Sequence, residues 1–374
     1  GISALRSDLP GVSYEEAIRH LGGGLFYVGA VYGLSGHRSL ERLVALIVAA
    51  GVAAATVALA MVAHQSAERY AGAFQNEQLL AAFLCVVGPV VVARSVAEDD
   101  PWRRSLIQGA ALVVAAAIAM SRNRSAWLGA AVGLTVVAGL VYWWRLRGHR
   151  RGLQRHQLIV PLLTVACLVL PFVLVGEVRS LVAERARTIG AAPSDPSVRW
   201  RLAMWDKALR MTRERPIFGW GVGTYPIYQA YFFHPDAHTD MPYRSPRLIM
   251  RDGPTLTENA HNTYLQLMAE LGIPGLGLYL GVLAAFWVTA FRALGRLRRG
   301  FRQCILIGCM GGIAAQMVAA IGSPAWEFPE CSVSFWLILG IGMAITGVGS
   351  LPAEEPEATS HRRRRRRREA NVEI

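Results

Sequence analysis

One histidine and a few arginines are the residues in this chain best placed to do chemistry. His261 stands beside Asn262, just after Glu258 and Asn259, where a long polar stretch meets an apolar run. An imidazole with an ordinary pKa near 6.5 is largely neutral at neutral pH and can accept a proton. Glu258 is the second candidate base. Arg124 sits at the edge of another apolar run, with Arg122 two residues before it. Arginine at the bilayer centre costs about 2.5–3.5 kcal/mol, so an arginine at a membrane edge is a functional candidate by default. The plainer alternative is that both snorkel to headgroups. Arg201 and Trp205 are four apart and share one face of a helix expected to begin near Ser197, with Asp195 or Ser197 as its cap and Pro196 in its first turn. Guanidinium groups grip phosphate oxygens through paired N–H donors.

These residues need elements to hold them, and the composition says which kind. The 374 residues are 53% hydrophobic and only 17% charged. Apolar runs long enough to cross a bilayer, roughly 20 residues each, recur along the chain. Nine spans are expected, at 21–36, 43–63, 79–96, 105–121, 125–144, 157–176, 273–291, 303–322 and 331–350. The first is short and glycine-rich. The chain therefore divides into six spans with short loops (1–176), a large polar loop with an amphipathic helix (177–262), three further spans (263–350) and an arginine-rich tail (351–374). The fold class is an all-α polytopic membrane protein.

The net charge of +13 does not point to nucleic acid, because the arginines collect in alternate short loops. Arg38 and Arg42, Arg103 and Arg104, Arg145 to Arg155, and Arg292 to Arg302 mark one side as cytoplasmic. The loop 177–262 then faces the periplasm. Gly1 also falls outside, and with no signal-peptide pattern in the first twenty residues, upstream sequence is expected to be missing. The five cysteines lie in or beside spans without a CxxC pair, and read as small apolar residues.

Several motifs invite a sharper reading than they support. Gly219, Gly221 and Gly223 in GWGVG lack the preceding strand of a nucleotide loop, and read as a tight loop allowing close backbone approach. His234 and His238 have metal-ligand spacing only if helical, and Pro235 argues for a loop. No metal and no cofactor is expected. Arg210, Arg213 and Arg215 read as solvated, and Arg362 to Arg368 as a patch for anionic lipid.

The stretch AHNTYLQLMAELGIPGLGLYL, from Ala260, resembles the signature of the O-antigen ligase and polymerase superfamily. In that signature a His-Asn pair leaves the large periplasmic loop, and a Glu-Leu-Gly-Ile-Pro-Gly turn leads into a span. RLAMWDKALRMTRERPIFGWGVGTY, from Arg201, and SRNRSAWLG, from Ser121, resemble two further segments of the family; Asn123 takes the family's serine position. The resemblance implies a twelve-span architecture, nine spans being here. It also implies a multi-pass protein of the bacterial inner membrane that moves a glycan from a polyprenyl-pyrophosphate donor to an acceptor hydroxyl at the periplasmic face. On that reading Arg124, Arg201 and Arg122 hold the pyrophosphate, His261 or Glu258 is the base, and Asn262, Trp205 and the three loop glycines support the site. A single dominant outer loop favours a ligase, with a lipid A core sugar as acceptor, over a polymerase joining lipid-linked repeats. A lipid or glycan transporter is the alternative from another class. It would line a central path with polar residues on many spans, whereas these charges gather at one edge.

Overall fold

The computed structural model describes residues 2–63, 74, 77–121, 123–146, 196–232, 259–323 and 328–349. These residues form helices, turns and bends with no strand among them. In chain order the helices are α1 (Ile2–Leu5), α2 (Pro10–Gly33), α3 (His37–Ala63), α4 (Glu77–Ala97), α5 (Pro101–Met120), α6 (Arg124–Leu146), α7 (Pro196–Glu214), α8 (Tyr225–Tyr228), α9 (Thr263–Leu294), α10 (Phe301–Ala319) and α11 (Pro329–Ile345). Six of them, α3, α4, α5, α6, α9 and α10, are long and apolar enough to cross a membrane, and α11 is a shorter apolar helix. The expected span 157–176, most of the large loop and the tail lie outside the described residues.

Most of the weakest expected span, 21–36, lies in a 24-residue helix, α2, which ends at Gly33. Its outward face carries the exposed stripe Tyr14, Ile18, Leu21, Leu25, Val28 and Tyr32, at helical spacing. Its inward face packs on α11, where Gly23 lies against the Trp336 indole and Gly340 against the Tyr27 backbone. The glycine run is therefore a contact surface as well as a helix-weakening one.

The bundle is built around α4 and α10, whose residues are mostly buried. Small residues bring the α10 backbone close to its neighbours. A Cβ on Gly133 of α6 would stand 2.5 Å from the Gly311 carbonyl, and one on Gly129 2.5 Å from that of Ala315. In lipid, where apolar burial does not drive association between helices, this close van der Waals approach does.

The two ends of the bundle differ. At one end the His37 ring meets Phe301 edge-on at 5.3 Å, and the Arg94 guanidinium lies 5.3 Å from the same ring. The arginines of the 36–42, 97–104 and 292–302 turns belong to this end. At the other end lie the starts of α6 and α9, the end of α10, α7, and the chain's first residues. Arg215, just after α7, binds Asp8 at 2.6 Å, and Ser7 Oγ donates to the Trp220 carbonyl. Arg215 is thus not the solvated residue expected, because Asp8 pairs with it and its guanidinium stacks 4.0 Å from the Trp220 ring.

Candidate active site

The site is assembled where α9 begins. Asn262 caps the helix, its side-chain oxygen accepting from the N–H groups of Tyr264 and Leu265 at 3.0 and 3.1 Å. Such a cap satisfies N–H groups that the helix itself leaves unpaired. Thr263 ties this start to the end of α10, through its N–H to Ala320 and its hydroxyl to the Ser323 carbonyl. His261, immediately before the cap, takes a positive φ of 47°, the sole non-glycine residue to do so among the described residues. That backbone conformation is uncommon for a side-chain-bearing residue, and persists only where the surroundings hold it.

The His261 ring meets Trp200 of α7 edge-on at 4.8 Å. Its Nδ1 is buried and accepts or donates no hydrogen bond among the described residues. Burial first, and then the nearby Arg201 cation, lower the His261 pKa from its ordinary value to about 4. Both causes disfavour a second positive charge in one confined place. The imidazole is therefore neutral across the physiological range.

Arg201 reaches the same place from α7. Its Nη1 lies 4.0 Å from where a Gly322 Cβ would stand, and the Ser125 Cβ lies 3.1 Å from the same point. Arg201, His261, the 320–323 turn and the start of α6 thus converge. Arg124 opens α6 beside Ser125, with an exposed side chain. Asn123 precedes it and accepts from Ser125 Oγ at 2.7 Å and from the Ala126 N–H at 3.3 Å. Asn123 thus caps α6, a role in which serine does equally well.

Trp205 follows one turn after Arg201, its Nε1 buried and without a partner among the described residues; Ser323 Oγ is likewise. Buried polar atoms are seldom left unpaired without a reason. Two of the three just named, His261 Nδ1 and Ser323 Oγ, belong to segments that Thr263 ties together. Sequence reasoning passed over Ser323, Ser125 and Trp200, which lie in short turns or near other candidates and carry no spacing signal. Arg122 and Glu258 lie outside the described residues, as do His234 and His238. Among the described residues no three His, Cys, Asp or Glu side chains gather to hold a metal ion.

The glycine loop has a different partner from any ligand. Gly219, Gly221 and Gly223 all have positive φ, and the loop lies against the turn of α9 around Glu270. Trp220 N–H donates to the Ala269 carbonyl at 3.1 Å, Gly221 N–H to that of Glu270 at 3.0 Å, and Ile273 N–H to that of Pro216 at 2.8 Å. A side chain at Gly219 would collide with the Glu270 backbone. The Glu270 carboxylate, 3% exposed, accepts from the Gly223 and Tyr225 N–H groups at 2.9 and 3.0 Å. The close approach expected of these glycines is to α9 at Gly219, to Ser7 and Ser13 at Gly221 and to Glu16 at Gly223. The contact with α9 kinks that helix at Gly272, where φ is 75° and ψ 177°. Large apolar side chains turn outward only beyond the kink, from Ile273 to Leu278 and Phe291. The helix thus starts ten residues before the span expected at 273 and has a polar, docked first section.

Residues 109–280 match the family model described as O-antigen ligase. The matched segment, a little under half of the chain, is similar to the O-antigen ligase family. The matched segment runs from α5 to the first turns of α9 beyond the kink, and so contains Arg124, Arg201, the glycine loop and His261. No curated protein matches the chain. The family's activity is glycosyl transfer of the O-antigen ligase and polymerase type, and the six long apolar helices of this chain fit a multi-pass membrane protein.

Proposed function

We propose that this chain transfers a glycan from a polyprenyl-pyrophosphate donor to a sugar hydroxyl of lipid A core, at the periplasmic face of the inner membrane. The observation that carries this reading is the convergence of a neutral, half-buried imidazole and a guanidinium at one edge of the bundle. The acceptor oxygen attacks C1 of the donor sugar, the bond from C1 to the pyrophosphate oxygen breaks, and the hydroxyl proton passes to His261. Negative charge builds on the departing pyrophosphate, where Arg201 and Arg124 can stabilise it as fixed forks. A pyrophosphate bound beside Arg201 also offsets the cation that depresses the His261 pKa. Donor binding therefore makes His261 a stronger base when one is needed. Asn262 and the glycine loop hold the start of α9 and the turn at Glu270, and Trp205 presents its N–H one turn from Arg201.

The periplasmic assignment rests on arginine placement, since the arginine-bearing turns share the end opposite to His261. Purified protein in nanodiscs, given lipid-linked donor and a core glycolipid, should form the coupled product with or without a chelator. Product only between two donor molecules would make it a polymerase. Donor crossing liposomes with no product from any acceptor would make it a transporter.

A further inference from the structure

Two side chains one turn apart on α9, Gln266 and Glu270, are buried, and neither faces Arg201 or His261 in any contact described above. Their hydrogen bonds, continued through Tyr225, nevertheless link the residue before His261 to the turn of α7 after Arg201. Gln266 Oε1 accepts the Ala260 N–H at 2.9 Å, one residue before His261. Gln266 Nε2 donates to Glu270 Oε1 at 3.2 Å, which fixes which way the amide points. The Glu270 carboxylate takes the Tyr225 N–H, and the Tyr225 hydroxyl donates to the Met204 carbonyl of α7 at 2.7 Å, one turn beyond Arg201. On the other side of Ala260, Asn259 Oδ1 accepts the His261 N–H at 3.2 Å. An uncommon backbone at His261 is therefore held on its N-terminal side by a side chain whose own orientation α7 determines through Glu270.

We propose that Gln266 is a positioning residue for His261, and that with Glu270 it sets the imidazole against the helix that carries Arg201. This rests on the reading of His261 as the base. Geometry errors near 1 Å can cost about 100-fold in rate. Gln266→Met, of similar volume, should lower kcat by about ten- to 100-fold and leave the donor KM within about twofold, because the pyrophosphate contacts are elsewhere. A general loss of fold would not discriminate between backgrounds, so the deciding experiment is a cycle with His261→Ala. In the His261→Ala protein, adding Gln266→Met should change the residual rate by less than about twofold. If Gln266→Met does not give a monodisperse protein, Gln266→Leu takes its place in the same cycle. The imidazole ¹⁵N signal of His261, assigned by its absence in His261→Ala, should shift or broaden in the Gln266 variant. Equal fold losses in both backgrounds, or an unmoved His261 signal, would overturn the proposal while leaving His261 as base. Normal transfer by His261→Ala alone would remove the base reading and this one with it.

Discussion

Replacing Gly272 by alanine tests the docking that joins the two halves of the site. With φ at 75° and ψ at 177°, the residue occupies a region that is essentially restricted to glycine, and strain there is of order 1–3 kcal/mol. An alanine Cβ would also run into the backbone of Ile217 and Pro216. Relieving that collision separates the strands of chain joined by the 2.8 Å bond from Ile273 N–H to the Pro216 carbonyl, worth about 0.5–1.5 kcal/mol. The total is about 1.5–4.5 kcal/mol of destabilisation. Gly277 is the matched control: it lies five residues on in the same helix, and its Cβ would meet nothing within 4 Å. Alanine there should be neutral or gain up to about 1 kcal/mol from helix propensity. Thermal unfolding of detergent-purified protein, followed by loss of the monodisperse peak, should place Gly272→Ala several degrees below wild type, with Gly277→Ala at or above it. Transfer should fall in the first and persist in the second. Equal midpoints for the two variants would refute the docking argument.

Transfer measured as kcat/KM should stay level as pH falls through 6.5 and decline only toward about 4, because the protonated His261 forms there in the free protein; a decline centred near 6.5 would contradict the burial and Arg201 effects. Arg201→Gln removes the second of those effects, so the decline should move upward in pH toward 6.5 while kcat drops. Arg124→Lys keeps charge but loses the planar fork, and should impair transfer at least tenfold, whereas Arg362→Ala in the tail should not; equal activity of Arg124→Lys and wild type would move the pyrophosphate site away from α6. In spheroplasts of a strain carrying protein with its native cysteines replaced, Arg213→Cys on α7 should react with an impermeant thiol reagent, and Arg299→Cys only after permeabilisation. The reverse pattern would overturn the orientation.

The helices were legible because the apolar runs are long, and six of them became helices of membrane-crossing length and apolarity. The His-Asn pair was also readable as a helix start, since asparagine at that position can cap, and Asn262 does. What the sequence concealed are contacts between distant residues. Glu270 binds N–H groups 45 and 47 residues earlier in the chain, and no local pattern marks that. The Glu-Leu-Gly-Ile-Pro-Gly stretch read as a turn leading into a span, and the chain does turn at Gly272, just before the span expected from 273; what the stretch did not reveal is that this turn docks against the 216–223 loop. The pKa of His261 was taken near its ordinary value, because neither its burial nor its closeness to Arg201 is written in its neighbours. Arg215 was read as solvated for the same reason: Asp8 lies 207 residues away in sequence.

The most direct test of the central claim is transfer by His261→Ala, with donor retention measured on the same preparation. General-base loss typically costs about 10²–10⁴-fold in rate. The variant should show a loss of that size and still retain lipid-linked donor, since the proposed pyrophosphate contacts belong to Arg124 and Arg201. A His261→Ala protein that couples glycan to acceptor at the wild-type rate would contradict the account, and Glu258 would be the next base to test.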